Sequence, residues 1–215
     1  MGLESRLTIA RRRMVETDLK GRGITSPRVL DAMGRVPREQ FVVADFQSSA
    51  YGDRALPIDC KQTISQPYMV ALMTEVLEIQ GSERVLEVGT GSGYQTAVLA
   101  ELAAEVVTIE RHPKLSLAAQ QILGKLSYKN IEFITGDGSL GHEPGAPYDR
   151  IMITAAASEC PPALLEQLHE QGILVGPFGG RQSQMLQRVE KRIGVADHWT
   201  DVCACRFVPL VNQPG

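Results

Sequence analysis

Three closely spaced glycines limit what this chain can fold into more than any other feature of its sequence. Gly89, Gly91 and Gly93 follow an apolar run at residues 85–88 and precede a helical stretch that begins at Tyr94. Glycine adopts backbone angles that other residues avoid, and it lets the backbone approach a ligand closely. An apolar run, a glycine-rich turn and a helix, in this order, predict the strand–turn–helix unit that commonly holds an adenosine-containing cofactor.

A second apolar run, at residues 106–109, ends at an acid. Glu110 stands at the tip of that predicted strand, where its carboxylate can accept hydrogen bonds from ribose hydroxyls. A nicotinamide dinucleotide turn would need glycine in place of Tyr94. Glu87, just ahead of the glycines, is unfavourable beside a pyrophosphate but suits the ammonium group of S-adenosylmethionine. These residues favour S-adenosylmethionine over a dinucleotide as the ligand of the turn. The alternative interpretation is that the turn binds no ligand and is a flexible connection in an ordinary α/β crossover.

Strands and helices are predicted to alternate along most of the chain. The predicted strands lie at residues 84–88, 106–109, 131–135, 150–154 and 172–175, and the helices lie at 66–77, 94–103, 114–126 and after Pro161. This alternation predicts an α/β fold with a doubly wound, mostly parallel sheet of the Rossmann-like methyltransferase type. Alternating residues at 184–189 and 203–210 predict an antiparallel pair at the C-terminal edge of the sheet.

The first part of the chain is predicted to combine helices with an irregular segment. One helix is predicted at residues 3–20, and a second is opened by Ser26, which suits a helix cap. Residues 36–61 are too long for a simple connector, so they are interpreted as a lid or binding surface. We expect one domain, in which residues 1–65 carry the N-terminal helices and the substrate loop and residues 66–215 form the cofactor-binding core.

An aspartate between two glycines follows the third predicted strand. Asp137, flanked by Gly136 and Gly138, lies at the same carboxyl end of the predicted sheet as Glu110. Such a carboxylate can accept a hydrogen bond from the adenine amino group, although Asp-Gly is also common in ordinary tight turns. Because ligands of these sheets bind beyond the carboxyl ends of the strands, the shared placement favours the binding interpretation.

The charge balance argues against a broad surface for nucleic acid. Lysine and arginine total 22 against 25 for aspartate and glutamate, which gives a formal charge of −3. The basic run at residues 11–13 is interpreted as a solvated helix face. No apolar run resembles a signal peptide or a membrane span, so we expect a cytoplasmic monomer without nucleic-acid or membrane partners.

The cysteines and histidines lack the spacing of metal ligands. Cys60, Cys160, Cys203 and Cys205 form no C-x-x-C pair, and the histidines are scattered along the chain. We therefore expect no metal site. All four cysteines are predicted to be reduced thiols.

Two marks of base-methylating enzymes are absent after the fourth predicted strand. Enzymes that methylate exocyclic amines usually carry an Asn/Asp-Pro-Pro-aromatic stretch, where this chain has alanines at residues 155–157. Enzymes that attack carbon 5 of cytosine use a Pro-Cys pair, whereas here Cys160 precedes Pro161. Both absences disfavour methylation of a base.

The segment before the glycine turn carries the most specific pattern in the chain. Residues 62–69 read Gln-Thr-Ile-Ser-Gln-Pro-Tyr-Met, and residues 85–97 complete the pattern with Val-Leu-Glu-Val-Gly-Thr-Gly-Ser-Gly-Tyr-Gln-Thr-Ala. With these segments the chain resembles the protein-L-isoaspartate O-methyltransferase family, which initiates the repair of isomerised aspartyl residues. The resemblance covers nearly the whole chain, including Val36-Pro37-Arg38, Phe41-Val42, Tyr51, the turn at 136–138 and Arg206-Phe207-Val208-Pro209-Leu210.

The resemblance implies an activity and a role for each candidate site residue. The implied reaction is methyl transfer from S-adenosylmethionine to the free carboxylate of L-isoaspartyl and D-aspartyl residues. Ser65 becomes the active-site serine, Glu110 a ribose ligand and Asp137 an adenine ligand. The resemblance assigns the cofactor pocket to Gln62, Thr63, Ile64, Ser65, Glu87, Gly89, Thr90, Gly91, Gly93, Glu110, Arg111, Asp137 and Gly138, and the substrate cleft to Ser65, Val208, Pro209 and Leu210. Without the family, Ser65 would be interpreted as a helix cap.

One departure from the family pattern keeps two alternatives open. Members of the family commonly have Gly-x-Gly before the serine segment, where this chain has Asp59, Cys60 and Lys61. The loss of two glycines stiffens the approach to Ser65 and bears on loop geometry and rate more than on cofactor binding. The alternatives are methyl transfer to another carboxylate or small molecule, and a cofactor-binding module without catalysis.

Overall fold

The computed structural model of the chain describes residues 3–180 and 182–210. Its α-helices are α1 (Leu3–Arg13), α2 (Pro27–Arg35), α3 (Pro67–Val76), α4 (Tyr94–Ala100), α5 (Pro113–Lys125) and α6 (Pro162–Gln167). Its strands are β1 (Leu56–Pro57), β2 (Thr63–Ile64), β3 (Arg84–Val88), β4 (Glu105–Glu110), β5 (Ile131–Thr135), β6 (Tyr148–Ile153), β7 (Leu168–Gly179), β8 (Gln184–Glu190) and β9 (His198–Cys205). A π-helix at Met14–Leu19 continues α1, and short 3₁₀-helices lie at Lys20–Arg22, Arg38–Phe41, Ala44–Ser49, Asp59–Lys61, Gly138–Leu140 and Glu143–Gly145.

The main sheet has the predicted topology. Its strand order is β5-β4-β3-β6-β7-β8-β9. Neighbours from β5 to β7 pair in parallel, whereas β8 pairs antiparallel with β7 and with β9. The α/β fold with a mostly parallel sheet and an antiparallel C-terminal edge is thereby confirmed. The order reverses between β3 and β6, so the carboxyl ends of β3, β4 and β6 meet at the topological switch, where such sheets bind ligands.

The last predicted strand is wrong beyond Cys205. The sequence predicts a strand at residues 203–210, but β9 ends at Cys205 and the chain then leaves the sheet. Ala156 takes over as the partner: its N–H donates to the Val208 carbonyl at 2.8 Å, and its carbonyl accepts from the Leu210 N–H at 2.6 Å. The C-terminal arm, residues 206–210, is therefore held over the carboxyl end of β6 and is not an edge strand.

Helix α4 lies at the centre of the molecule. Each residue from Tyr94 to Ala100 is buried, because α2, α3 and β4 all pack around it. Side chains alternate between the two faces of β3, so Val85 joins the core on the side of α4 while Leu86 and Val88 join the core on the opposite side. The helix that follows the glycine turn is thus fixed from several directions.

The basic run at residues 11–13 is only partly a solvated face. Arg12 and Arg13 are exposed, but Arg11 is half-buried and its Nε donates to the Tyr51 hydroxyl at 2.8 Å. Arg11 also donates to the Arg35 carbonyl at 3.0 Å and pairs with Glu39 at 3.4 Å. Arg11 therefore joins α1 to the segment that follows α2, and the predicted solvation is wrong for this residue.

The part of the chain that the structure describes contains neither a metal-binding cluster nor a membrane-spanning helix. Within residues 3–180 and 182–210, no three His, Cys, Asp or Glu side chains gather closely enough to hold a metal ion. Across the same residues, no helix combines the length and the apolar character that crossing a bilayer requires. Cys60, Cys160, Cys203 and Cys205 are free thiols.

Candidate active site

The glycine turn after β3 requires glycine. Gly89, Gly91 and Gly93 have φ angles of 101°, 54° and 87°, in the left-handed region that other residues rarely adopt. A Cβ on Gly89 would also collide with Thr154 Oγ1. That hydroxyl, at the end of β6, donates to the Gly89 carbonyl at 2.7 Å. Close contact between the turn and β6 therefore shapes the floor of the site.

Glu110 ties the glycine turn to the end of β4. Its side chain is buried, Oε2 accepts from the Gly91 N–H at 2.8 Å, and Oε1 accepts from the His112 N–H at 2.8 Å. A carboxylate has about four lone-pair sites, so each oxygen keeps the capacity to accept another hydrogen bond. The carboxylate is thus oriented before any ligand arrives.

A cleft lies at this switch point. The predicted residues in its wall are Gln62, Thr63, Gly89, Gly91, Glu110, Arg111, Gly138, Val208, Pro209 and Leu210. A second cavity shares Thr63, Gly89 and Gly91 with the first and adds the predicted residues Ile64, Ser65 and Thr90. The structure therefore brings thirteen of the sixteen predicted residues to two adjoining cavities.

Glu87 lies beneath the turn and does not reach either cavity wall. It is fully buried, and its Oε2 accepts from the Thr96 and Thr108 hydroxyls, each at 2.6 Å. Oε1 has no partner among the described residues. Burial raises the pKa of Glu87 to about 8, so the carboxyl is mostly protonated at neutral pH. The structure gives no direct contact between Glu87 and the cleft where the sequence predicts a cofactor ammonium group.

Gly93 and Asp137 also stand outside the described cavity walls. A Cβ on Gly93 would lie 3.1 Å from Ala119 Cβ, so this glycine allows the turn before α4 to approach α5 closely. Asp137 Oδ1 accepts from the N–H and the hydroxyl of Ser139, at 2.9 and 2.7 Å, and caps the short helix Gly138–Leu140. The predicted adenine contact of Asp137 stays a prediction.

Sequence reasoning missed several wall residues. These are Val88, Ile109, His112, Thr154 and Ala155, which lie at or just beyond the carboxyl ends of β3, β4 and β6. Their position in the sequence could have identified some of them, because the end of the fourth predicted strand borders the switch point, where such sheets bind ligands. Thr154 and Ala155, at the end of that predicted strand, could have been predicted as wall residues on this ground.

Ser65 is not a helix cap. The N-cap of α3 is Gln66, which makes no side-chain capping bond, and Ser65 lies half-buried in the second cavity. None of the groups described in residues 3–180 and 182–210 hydrogen-bonds the Ser65 hydroxyl. Its carbonyl accepts from Arg38 Nη2 at 2.8 Å. The backbone of Ser65 is thus held while its hydroxyl stays available to a ligand.

The loop before the serine segment carries backbone strain. Cys60 and Lys61 both have φ of 57°, in the left-handed region, and Lys61 occupies a position where the family pattern commonly has glycine. Each left-handed residue other than glycine costs roughly 1–2 kcal/mol. Asp59 pairs with Lys114 of α5 at 2.9 Å across this loop. The backbone strain therefore falls on Cys60 and on Lys61, one of the two positions where the family pattern commonly has glycine.

Lys61→Gly is expected to stabilise the chain by roughly 0.5–1 kcal/mol, because relief of the left-handed strain exceeds the added entropy of the unfolded chain. Urea unfolding measures the change. Lys129→Gly is the matched control, because Lys129 is an exposed loop lysine without a positive φ. A loss of stability in both variants would show that the loop at 60–61 is not strained.

Gln184 fixes the C-terminal arm. From the start of β8, its Oε1 accepts from the Phe207 N–H at 2.6 Å and its Nε2 donates to the Phe207 carbonyl at 3.3 Å. One side-chain amide thus satisfies both backbone groups of Phe207, as a neighbouring strand would. This contact directs Val208, Pro209 and Leu210 into the cleft wall.

Comparison with known proteins assigns this architecture. The family model described as Protein-L-isoaspartate(D-aspartate) O-methyltransferase matches residues 10–215. The chain belongs to this family. It is 53% identical over 206 residues to protein-L-isoaspartate O-methyltransferase 1 of Syntrophobacter fumaroxidans, covering 96% of each chain. It is 51% identical over 205 residues to protein-L-isoaspartate O-methyltransferase of Dictyoglomus thermophilum, covering 95% of this chain and 92% of that one.

Solved structures of the family share the fold. A protein-L-isoaspartate O-methyltransferase superposes with a TM-score of 0.85 at 28% identity, over 94% of this chain and 66% of that chain. A Plasmodium falciparum structure, described as a beta-aspartate methyltransferase in complex with S-adenosyl-L-homocysteine, gives a TM-score of 0.79 at 26% identity over 94% of this chain and 99% of that chain. The family fold thus extends over nearly all of this chain.

Proposed function

We propose that this chain transfers a methyl group from S-adenosylmethionine to the free carboxylate of L-isoaspartyl and D-aspartyl residues in damaged proteins, which initiates repair through a succinimide. The observation that carries this function is the adjoining pair of cavities. One cavity holds the oriented carboxylate of Glu110, and the other holds the available hydroxyl of Ser65. Residues Gly89 and Gly91 belong to both, so a cofactor and a carboxylate substrate fit side by side.

The residues present fit S-adenosylmethionine. Glu110 is pre-oriented by two backbone N–H groups and can accept from both ribose hydroxyls. Side chains at Gly89 and Gly138 would collide with Thr154 and Val88, so the backbone borders the cleft directly at both points. Gln62 to Ser65, Thr90, Arg111 and Gly138 complete the proposed cofactor pocket, with Asp137 proposed as the adenine ligand and Glu87 and Gly93 as supports of the turn.

The reaction requires the protein to position the substrate carboxylate and the methyl group, and it does not require a proton transfer. S-adenosylmethionine supplies an electrophilic methyl group on a sulfonium. A substrate carboxylate has a reference pKa of about 4, so it is already ionised at neutral pH and its conversion to a methyl ester moves no proton. Ser65 donates a hydrogen bond to one carboxylate oxygen and leaves the other free to face the methyl group. Val208, Pro209 and Leu210 close the substrate side and help to exclude water.

Cysteine chemistry is not part of this proposal. Burial raises the pKa of the Cys160 thiol to about 12, so Cys160 is protonated at neutral pH. A protonated, buried thiol is a poor nucleophile. This argues against Cys160 as an intermediate carrier of the methyl group.

The test is transfer of labelled methyl from S-adenosylmethionine to two peptides that differ only in isoaspartate or aspartate at one position. We expect transfer to the isoaspartyl peptide alone. Ser65→Ala is expected to lower kcat/KM roughly ten- to hundredfold, because a hydrogen bond to a charged group contributes roughly 1.5–3 kcal/mol. Ser127→Ala, at an exposed loop serine after α5, is the matched control and should leave kcat/KM unchanged.

Other outcomes of this assay favour the alternatives. Equal labelling of both peptides, or labelling of neither, contradicts the isoaspartyl assignment. Cofactor binding without labelling of either peptide favours another acceptor, which competition with metabolite carboxylates then tests. Binding without turnover on any acceptor favours a non-catalytic cofactor-binding module.

We also propose a cytoplasmic monomer that acts without nucleic acid or membrane. The formal charge of −3 supports the absence of a broad nucleic-acid surface. Four free thiols are compatible with a reducing compartment. The participation of Arg11 in internal hydrogen bonds removes one cation from the basic run at residues 11–13.

A further inference from the structure

Arg38 is a fully buried arginine beside the proposed catalytic serine. It begins the 3₁₀-helix Arg38–Phe41 and has no exposed surface. Its Nε donates to the Ala50 carbonyl at 2.7 Å, and its Nη2 donates to the Ser65 carbonyl at 2.8 Å. Its guanidinium lies over the Tyr94 ring, 4.7 Å from the centroid. One side chain thus joins the N-terminal segment, the serine and the first residue of α4.

The setting of Arg38 is costly for a purely structural residue. Burial lowers its pKa below the ordinary value, which means that the charged form is poorly solvated. Within the described residues, Arg38 forms no ion pair and its Nη1 has no hydrogen-bond partner. Asp53 favours the charged form through space but makes no ion pair with Arg38. A buried charge without a contacting counterion is destabilising relative to a paired one. The buried charge therefore lowers the stability of this region, so stability alone does not explain why Arg38 is placed here.

Two other arginines show the usual arrangement. Arg150 donates to the Leu77 carbonyl at 2.8 Å and pairs with Glu83 at 3.7 Å. Arg188 donates to the Val76 carbonyl at 2.9 Å and pairs with Glu78 at 3.1 Å. Both bind carbonyls near the C-terminal end of α3, away from Ser65, and both have a carboxylate partner. Arg38 differs from these two arginines because it is fully buried and forms no ion pair with a carboxylate among the described residues.

Ser65 needs a fixed backbone because it lies at a junction. Ile64, directly before it, pairs with Leu56 in the short β1–β2 hairpin. Pro67 begins α3 two residues later. The carbonyl of Ser65 has no bond within either element and accepts from Arg38 Nη2 instead. The guanidinium is therefore the contact that sets the Ser65 peptide plane between the hairpin and the helix.

We propose that Arg38 is a positioning residue for methyl transfer: by holding the Ser65 carbonyl, it aims the Ser65 hydroxyl at the substrate carboxylate. This inference rests on the proposed function of Ser65. Arg38 itself lines neither cavity and does not touch the reacting atoms. The Arg38 guanidinium also packs on Tyr94, in the helix that follows the glycine turn. Arg38 therefore fixes the position of Ser65 relative to the cofactor side of the site.

A double-mutant cycle tests the inference with kcat, KM and S-adenosyl-L-homocysteine affinity as readouts. In Arg38→Lys, one ammonium cannot reproduce the planar fork that spans both carbonyls. We expect kcat for the isoaspartyl peptide to fall about tenfold, with cofactor-product affinity within about twofold of the unmodified chain. Adding Arg38→Lys to Ser65→Ala should cause less than a further twofold loss of kcat, because the hydroxyl that Arg38 positions is already absent.

Arg150→Lys is the matched control, since it alters a carbonyl-binding arginine at the other end of α3. It should lower the urea midpoint, leave kcat within about twofold, and combine multiplicatively with Ser65→Ala. If Arg38→Lys does not yield folded protein, the shorter and neutral Arg38→Gln enters the same cycle.

The outcomes separate this inference from the proposed function. Multiplicative losses for Arg38→Lys and Ser65→Ala overturn the inference alone. A fall confined to stability or to S-adenosyl-L-homocysteine affinity also overturns it. Full activity of Ser65→Ala overturns the role of Ser65 and, with it, that of Arg38. An unmodified chain that methylates no isoaspartyl peptide contradicts the proposed function itself.

Discussion

Gly89→Ala is expected to remove measurable binding of S-adenosyl-L-homocysteine. The added Cβ would collide with Thr154 Oγ1, and the φ of 101° is strained for any residue with a Cβ. The strain costs roughly 1–2 kcal/mol and overpacking roughly 1–3 kcal/mol more, so affinity should fall at least about a hundredfold if the turn shifts to relieve them. Isothermal titration calorimetry measures the affinity.

Two further variants control this result. Gly124→Ala, at an exposed glycine of α5 with no atom within 4 Å of the added Cβ, should leave affinity unchanged and raise stability by roughly 0.5–1 kcal/mol. Thr154→Ala combined with Gly89→Ala removes the collision but not the positive φ, so it should restore only part of the affinity. Unchanged binding by Gly89→Ala would mean that the turn does not shape the cofactor site.

Glu110→Ala is expected to weaken S-adenosyl-L-homocysteine binding by about a hundredfold or more. The variant loses the acceptor proposed for two ribose hydroxyls, and hydrogen bonds to a charged group contribute roughly 1.5–3 kcal/mol each. It also releases the N–H groups of Gly91 and His112, which the carboxylate holds at 2.8 Å. Calorimetry gives the affinity, and urea unfolding separates it from any loss of stability.

Glu132→Ala is the matched control for Glu110→Ala. Glu132 lies on the neighbouring strand β5, and its side chain is 48% exposed. Its contact with Arg84 is a surface ion pair, which contributes little. Affinity should therefore be unchanged. Equal affinity of Glu110→Ala and the unmodified chain would contradict the ribose role.

Two strands could be predicted from sequence with their bounds. The predicted bounds 84–88 and 131–135 coincide with β3 and β5. Both are short, largely apolar runs bounded by turns, although β3 is mostly buried whereas β5, at the edge of the sheet, is only partly buried. The two-residue strands β1 and β2 were not predicted, because such short pairs leave no periodic pattern.

Two features of the structure depend on contacts that sequence alone does not show. The alternation at 203–210 is compatible with a strand, but Gln184 and Ala156 take the backbone groups of the arm. Glu87 has suitable chemistry for a cofactor ammonium group, yet the pleat of β3 turns it to the face that α4 covers, where Thr96 of α4 and Thr108 of β4 donate to it. In a strand buried on both faces, residue type does not reveal which face borders the ligand.

The wall that Val208, Pro209 and Leu210 form has a consequence for biosynthesis. Synthesis proceeds from the N-terminus, so the glycine turn and Glu110 leave the ribosome well before this arm. A nascent chain, or a product truncated after β7, contains the residues around the glycine turn but lacks the substrate side of the cleft. The finished site therefore appears only when the arm has emerged and Gln184 has engaged Phe207.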